Sequence, residues 1–133
     1  MRANLAVENH SWDHNHELVH GSPRSPADRG TFRTIDTWAE CDRQVRQAAD
    51  YIDDHLAPHH RCRLYAHPYG EYSHYLVRHY LPEYMNQHRQ IAAFATQGEP
   101  LHAGADRWCL PRFVCGNHWR STTDFDAILR DCT

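Results

Sequence analysis

Short apolar runs alternate along this chain with longer amphipathic segments, and the alternation predicts its secondary structure. Runs of strand length occur at residues 5–7, 61–66, 91–95 and 110–115. Apolar residues recur at helical intervals in residues 37–56 and 73–80, with a second stretch to about residue 88, and in a last segment that begins at Thr123. Short strands that alternate with helices are typical of α/β proteins, so we expect a largely parallel sheet or barrel.

Local signals predict where these helices begin and end. Thr37 and Glu40 have the spacing of a capping box, and Pro58 stops the helix that follows them. Ser73 and Thr123 are expected to cap the two later helices, and Pro82 to end or bend the first of these. Residues 16–34 are rich in Gly, Pro and Ser, which predicts a long surface loop.

The composition narrows the class of protein. A chain of 133 residues can form a core of its own, so residues 1–133 are interpreted as a single domain. The 14 basic and 17 acidic residues give a net charge of -3 without a basic stripe, which argues against nucleic acid as a partner. No run of about 18 apolar residues exists, which argues against a membrane span. Five cysteines without a CxxC pair favour neither a disulfide framework nor a cysteine zinc site, and the compartment stays unknown.

The chain also contains 13 histidines, for which metal binding, a response to pH and compositional drift are all open explanations. Two of these histidines, His10 and His14, follow the strand predicted at residues 5–7. If His14 lies in the first turn of a following helix, both imidazoles can point into one pocket and hold one zinc ion.

A second polar segment follows the strand predicted at residues 61–66, and it consists of His67, Pro68, Tyr69 and Gly70. In parallel α/β folds, ligands bind at the carboxyl ends of the strands. We therefore expect the loop of His10 and the loop of Tyr69 to form one shared site.

Four blocks of the sequence resemble motifs of the polysaccharide deacetylases, which are carbohydrate esterase family 4 with the NodB-homology domain. The segment His-Ser-Trp-Asp-His at residues 10–14 resembles the family's His-Ser/Thr-x-x-His zinc motif. Leu-Tyr-Ala-His-Pro-Tyr-Gly-Glu-Tyr at residues 64–72 is similar to its Phe-Ala-Tyr-Pro-Tyr-Gly-x-Tyr segment. Ala-Ala-Phe-Ala-Thr at 92–96 and Leu-Pro-Arg-Phe at 110–113 resemble the two later blocks. Together the blocks occur in the family's order and span most of the chain.

The resemblance implies a distorted (β/α) barrel and a metal-dependent hydrolase that removes N-acetyl groups from carbohydrates. It implies that His10 and His14 bind zinc or another divalent metal, and that Tyr69 contributes its backbone amide to an oxyanion hole. His118 is the candidate general acid. The expected walls of the substrate pocket are His67, Pro68, Gly70 and Arg112.

The family's first motif, a strand that ends in Thr-Phe-Asp-Asp, has no counterpart, since only nine residues precede His10. That motif supplies a metal-binding Asp and the general base. We therefore expect an N-terminally truncated relative with a partial barrel that lacks the first strand or strands. A homodimer would cover the open sheet edge. The alternatives are an inactive homologue that binds metal or carbohydrate, and a histidine-rich interaction module.

Overall fold

The computed structural model describes residues 6–15, 30–56 and 61–132. Helix α1 is one helical segment in three parts, α-helical Trp38–Asp42, π-helical Arg43–Gln47 and α-helical Ala48–Leu56. Strand β1 is Leu64–Ala66, and a 3₁₀ turn follows at Pro68–Gly70. Helix α2 comprises Leu76–Tyr80, which is π-helical, and Leu81–Glu83. Helix α3 is Met85–His88, strand β2 is Ala92–Phe94, and helix α4 is Thr122–Asp131.

Parallel pairing of strands organises the centre of the fold. Strands β1 and β2 are parallel neighbours, with Tyr65 opposite Ala93. Single parallel bridges place Asn9 beside Tyr65 and Leu110 beside Phe94. Four chain segments therefore lie side by side in the order Asn9, β1, β2, Leu110. The partial barrel stays a prediction, because a two-stranded sheet with two single bridges is compatible with several α/β architectures.

Helix α1 forms where the sequence predicts it, because its start has a complete capping box. The Thr37 hydroxyl accepts a hydrogen bond from the backbone N–H of Glu40, and the Glu40 carboxylate accepts one from the N–H of Thr37. Both satisfy amides that have no partner within the helix. The helix continues to Leu56, and Pro58 lies outside the described residues.

Helix α2 begins at the predicted cap as well. The Ser73 hydroxyl accepts from the N–H of Leu76 at 3.0 Å and donates to the carbonyl oxygen of Ile35. The helix ends two residues after Pro82, since helical structure continues to Glu83 and is left at Tyr84, where φ is -106°. The prediction for this region is confirmed.

The core lies between the helices and one face of the sheet. Tyr65 and Ala93, opposite each other on β1 and β2, are fully buried on this face. They pack in one hydrophobic cluster with Phe32, Ile35, Cys41, Val45, Leu76, Val77, Tyr80, Leu81 and Trp108. The other face presents Leu64, Ala66 and Phe94, which are only partly buried.

Two predicted strands differ from the structure. The apolar run at residues 5–7 is not a buried strand in its described part, because Ala6 and Val7 are exposed and the sheet is joined only at Asn9. In the range predicted as a strand at residues 110–115, Leu110 forms a single bridge with Phe94 of β2, and Cys115 forms one with Trp119 instead of with the sheet. The Nε of Arg112 donates to the carbonyl oxygen of Ala95 at 3.0 Å. In a regular parallel ladder, this oxygen would accept from the next backbone amide.

The last helix is capped two residues earlier than predicted. The Ser121 hydroxyl accepts from the N–H of Asp124 at 3.1 Å, and the Asp124 carboxylate accepts from the N–H of Ser121 at 3.0 Å. This pair forms the capping box, so Thr123 lies inside the helix. Within the described segments, no helix has both the length and the apolar character needed to cross a membrane.

Candidate functional site

Three residues predicted to share a site lie in ring contact at the carboxyl end of β1. The imidazoles of His10 and His14 meet edge to face, with centroids 4.7 Å apart. The imidazole of His14 meets the ring of Tyr69 in the same way at 5.3 Å. The three rings thus form a continuous row, which we call the His10–His14–Tyr69 row. The loop that follows Asn9 and the turn that follows β1 come together here.

The backbone of β1 orients His10. Its Nδ1 lies 2.7 Å from the carbonyl oxygen of Ala66. A carbonyl oxygen only accepts hydrogen bonds, so Nδ1 carries the proton in this contact and Nε2 keeps its lone pair. Metal-binding histidines are commonly held by such a bond from the other ring nitrogen. His10 therefore has the tautomer that a metal ligand needs.

Asn9 fixes the position of this loop. Its side chain is buried, and its amide Nδ2 donates to the carbonyl oxygen of Val45 in α1 at 2.7 Å. Its backbone exchanges hydrogen bonds with β1, from Asn9 N to the Leu64 oxygen and from Ala66 N to the Asn9 oxygen. The Asn9 side-chain oxygen accepts from the N–H of Ser11 at 2.8 Å. The start of the His10 loop is therefore attached to both the helix and the sheet.

The two histidines come together through a left-handed turn rather than through a helix. His14 has φ of 59° and Asn15 has φ of 55°, and Ser11 also has a positive φ. Right-handed helical residues have negative φ, so His14 does not lie in the first turn of a helix, which was the condition set for its approach to His10. The backbone N–H of His14 instead donates to the hydroxyl of Ser11 at 3.0 Å. The turn folds His14 back towards His10.

Asp13 holds this loop against α1 and is not directed at the histidines. Its carboxylate accepts from Arg43 Nη2 at 2.5 Å and from Gln44 Nε2 at 2.7 Å. It also accepts from the backbone N–H of Asn15 at 2.9 Å. These contacts occupy both oxygens, so Asp13 stabilises the loop instead of acting as a further metal ligand.

The turn that carries Tyr69 is held by two local hydrogen bonds and by Pro68, and two of its residues have left-handed backbones. Tyr69 has φ of 56° and Gly70 has φ of 72°. The N–H of Gly70 donates to the His67 oxygen and the N–H of Glu71 to the Pro68 oxygen, each at 2.9 Å. Pro68 fixes its own φ. The turn therefore presents Tyr69, whose side chain is partly exposed, in one conformation.

Substituting Gly70 with alanine is expected to destabilise the protein by about 2 kcal/mol, since it adds both a positive-φ penalty and a clash. A Cβ at Gly70 would lie 1.9 Å from Oγ1 of Thr96, at the end of β2. Urea denaturation followed by circular dichroism measures the loss. Gly104→Ala is the matched control, because there the nearest atom would be 3.6 Å away and φ is not positive. Equal stabilities of the two variants would contradict the expected strain.

His67 and Pro68 were expected in the wall of a substrate pocket, but both are buried. His67 has no exposed surface, and its Nε2 donates to the carbonyl oxygen of Trp108 at 2.8 Å. Its Nδ1 has no hydrogen-bond partner among the described residues. Burial lowers the pKa of His67 to about 4, so the ring is neutral near pH 7. Both residues therefore support the turn from beneath instead of facing a ligand.

Arg112 does line an open cavity next to His10. Its guanidinium donates to the backbone oxygens of Ala95 at 3.0 Å and His67 at 3.4 Å. The cavity has a volume of about 330 Å³ and extends over the partly buried face of the sheet, which includes Phe94. Gly70 does not line this cavity. Because Gly70 has no side chain, its backbone can lie close to the side chain of Thr96.

His118 lies in a different part of the fold. Its Nδ1 accepts from the backbone N–H of Val114 at 2.8 Å, and its ring meets that of Phe113 with centroids 6.1 Å apart. It lines a second cavity with Gly98 and Ile128, and this cavity shares no described residue with the one beside His10. The structure therefore does not bring His118 to the His10–His14–Tyr69 row through any contact among the described residues.

The donor set fits part of a zinc site. Two imidazoles are present, and His10 is held in the ligand tautomer. Structural and catalytic zinc sites use at least three protein ligands. No group of three His, Cys, Asp or Glu side chains with metal-site geometry occurs in the described parts of the chain. The described residues therefore supply two positions of such a site and not the third.

Sequence reasoning did not identify the groups that orient the site, which are the Ala66 carbonyl, the Asn9 amide and the Thr96 side chain. A backbone carbonyl leaves no sequence signal. Asn9, however, stands between an apolar run and a polar loop, which is a position where a buried polar anchor can be expected. Thr96 follows β2, and its contact with Gly70 depends on the register between the strands.

The comparisons with known proteins found no match: no family model, no curated protein and no solved structure corresponds to this chain.

Proposed function

We propose that this chain is a metal-dependent amide hydrolase of the polysaccharide-deacetylase type, which removes N-acetyl groups from a carbohydrate. The observation that carries the proposal is the His10–His14–Tyr69 row, in which both candidate metal ligands and the candidate oxyanion residue are in ring contact. The resemblance of the sequence motifs gives each residue its proposed role. The row lies at the carboxyl end of β1, the usual place for a site in a parallel α/β fold.

In the proposed reaction, His10 and His14 hold a divalent metal such as zinc. When bound, such an ion polarises the amide carbonyl and acidifies a water molecule. Tyr69 is assigned to the oxyanion of the tetrahedral intermediate through its backbone N–H. A donor helps most when it is fixed before the reaction begins, and the left-handed Tyr69–Gly70 turn gives that rigidity.

Exposed aromatic side chains around this loop support the proposal that the substrate is a carbohydrate. Trp12, between the two histidines in sequence, is 42% exposed and meets Tyr51 edge to face at 5.6 Å. Tyr51 is 54% exposed and Tyr69 is 43% exposed. Aromatic rings with an apolar face and a polar edge are suited to partly wet binding surfaces such as those for sugars.

An inactive homologue that binds metal or carbohydrate is the second candidate, and a specific observation favours it. The nearest carboxylates in sequence are engaged elsewhere: Asp13 with Arg43 and Gln44, and Glu8 with the backbone amides at the start of β1. No general base is thus assigned among the described residues. A second copy of the chain at the open sheet edge remains our proposal for a partner that covers this edge.

Zinc binding tests the first step. We expect wild-type protein to bind Zn²⁺ in calorimetry, and His10→Ala/His14→Ala to bind it at least about 100-fold more weakly, because both proposed ligands are lost. The control is His79→Ala/His102→Ala, which removes two exposed histidines elsewhere and should leave the affinity unchanged. Equal loss in both double variants would assign zinc uptake to histidines in general.

Acetate release from an N-acetylglucosamine oligomer separates the two candidates. If the chain is a hydrolase, we expect zinc-dependent acetate release that is lost in the His10→Ala/His14→Ala variant. Zinc binding without acetate release under saturating zinc and substrate would favour the inactive homologue. Release that is equal in the variant would contradict the assignment of the site.

A further inference from the structure

An open cavity lies at the opposite end of the two strands from the His10–His14–Tyr69 row. It has a volume of about 450 Å³. Its walls come from the segment before β1, from α3, and from the residues between α3 and β2. The side chains that matter are Arg61, Arg63, Arg89, Asn86, Met85 and Ile91. Arg61 and Arg63 precede the first residue of β1, whereas His67 and Tyr69 follow its last.

The charge of this cavity differs from that of the whole chain. Three arginines and no carboxylate are among its described lining residues, although the chain as a whole has a net charge of -3. Guanidinium groups that converge on one concave surface raise the local concentration of anions. The charged side chains that line the cavity are therefore all basic, while the carboxylates of Asp50 and Asp53 in α1 pair with one of them, Arg89.

Two of the arginines are presented by an alternating backbone. Arg61 and Arg63 are exposed, while Cys62 between them is buried. Residues two apart in extended chain lie on the same side. The N–H groups of Arg63 and Leu64 both donate to the Glu8 carboxylate at 2.8 Å, which fixes the backbone at the start of β1. The two side chains can therefore approach the same ligand.

The third arginine, Arg89, forms ion pairs with helix α1. Arg89 Nη2 lies 2.5 Å from a carboxylate oxygen of Asp50 and 3.5 Å from one of Asp53, both in α1. Arg89 also has φ of 61° at the carboxyl end of α3, a position where glycine is the usual residue. The carboxylates partly neutralise Arg89, but they also fix its direction, so less order has to be created when a ligand binds.

We propose that this cavity binds an organic phosphate. Guanidinium groups match the geometry of phosphate oxygens and stay charged at all physiological pH values. Met85 and Ile91 give the cavity an exposed apolar wall, which suits an apolar group attached to the phosphate. The amide of Asn86 adds a hydrogen-bonding group. The site is independent of the proposed hydrolase activity, because it lies at the other end of the sheet.

Phenyl phosphate, inorganic phosphate and phenol are suitable probes for titration of the full chain at low salt, followed by backbone NMR shifts. We expect phenyl phosphate to bind more tightly than inorganic phosphate, and phenol not to bind. The shifts are expected at residues 61–63 and 85–91. Arg63→Gln is expected to weaken phenyl phosphate binding by about tenfold, with partial recovery in Arg63→Lys.

Arg33→Gln is the matched control, because Arg33 has a side chain that is 74% exposed and lies outside the cavity. It removes the same charge and should leave the affinity unchanged. Equal weakening by Arg33→Gln and Arg63→Gln would reduce the effect to overall charge and overturn the proposal. Absence of saturable binding, or shifts centred on His10 and Tyr69, would overturn it as well.

Discussion

Asp42→Ala is expected to lower the free energy of unfolding by about 2–3 kcal/mol, because it removes the buried acceptor that Arg46, Gln47 and Tyr80 share. Asp42 is 1% exposed, and its carboxylate accepts from Arg46 through Nε at 2.6 Å and Nη2 at 2.7 Å. It also accepts from Gln47 at 3.1 Å and from the hydroxyl of Tyr80 at 3.2 Å. The last bond joins α1 to α2, so the substitution affects the packing of two helices.

The ionised state of Asp42 is what the network requires. Burial alone raises the pKa of Asp42, but the hydrogen bonds from Arg46 and Gln47 outweigh it, and the pKa lies below its ordinary value. Urea denaturation at pH 7 measures the loss, with Asp54→Ala on the exposed side of the same helix as control. We expect Asp54→Ala to change stability by less than about 0.5 kcal/mol. A similar small change for Asp42→Ala would show that the network contributes little.

Acidification from pH 6.5 to about pH 4 is expected to cost roughly 3 kcal/mol of stability through His67 alone. Burial lowers the pKa of folded His67 to about 4, whereas the unfolded imidazole titrates near 6.5. Below pH 6.5 the unfolded state binds a proton that the folded state does not. Stability therefore falls by about 1.4 kcal/mol per pH unit over this window, and the His67 contribution stops changing below it.

His67→Gln tests this assignment, because glutamine can still donate to the Trp108 oxygen but does not titrate. We expect the variant to be less stable at pH 7. Between pH 4 and 6.5, its free energy of unfolding should change with pH less steeply, by about 1.4 kcal/mol per pH unit, because one titrating proton is lost. His102→Gln, at an exposed position, is expected to keep the wild-type slope. An unchanged slope in His67→Gln would place the acid sensitivity in other groups.

His88 is expected to add to the same acid sensitivity, although its surroundings differ. It is buried, its Nε2 donates to the Leu81 oxygen at 2.9 Å, and its Nδ1 accepts from the N–H of Gln90 at 3.0 Å. Both nitrogens are thus satisfied in the neutral form. Burial is the main cause that lowers the pKa of His88. Two of the histidines are therefore core residues rather than ligands or pH sensors on the surface.

The two proposed sites use opposite ends of the same pair of strands. At the carboxyl end, β1 orients His10 through the Ala66 carbonyl and leads directly into the Tyr69 turn. At the amino end, the segment before β1 contributes Arg61 and Arg63. A substitution in one site can therefore be made with little direct effect on the other, which allows the two proposals to be tested separately.

Helix α1 illustrates what could be predicted from local sequence. Its apolar spacing and the Thr37–Glu40 box act within a few residues of the chain, and the structure confirms the range from Thr37 to Leu56. The Leu110 segment illustrates the opposite case. There the Arg112 side chain donates to the Ala95 carbonyl, which the next backbone amide of a regular ladder would use. A contact of this kind, between residues 17 positions apart, has no periodic signal.

At the candidate site, local patterns place His10, His14 and Tyr69 just after apolar runs of strand length. The expectation that parallel strands bring them to one edge needs only periodicity and the direction of the chain. Only the folded chain shows that His14 is reached through a left-handed turn, that Asp13 faces α1, and that His67 is buried. These outcomes depend on burial and on hydrogen bonds between residues far apart in sequence, which no local pattern encodes.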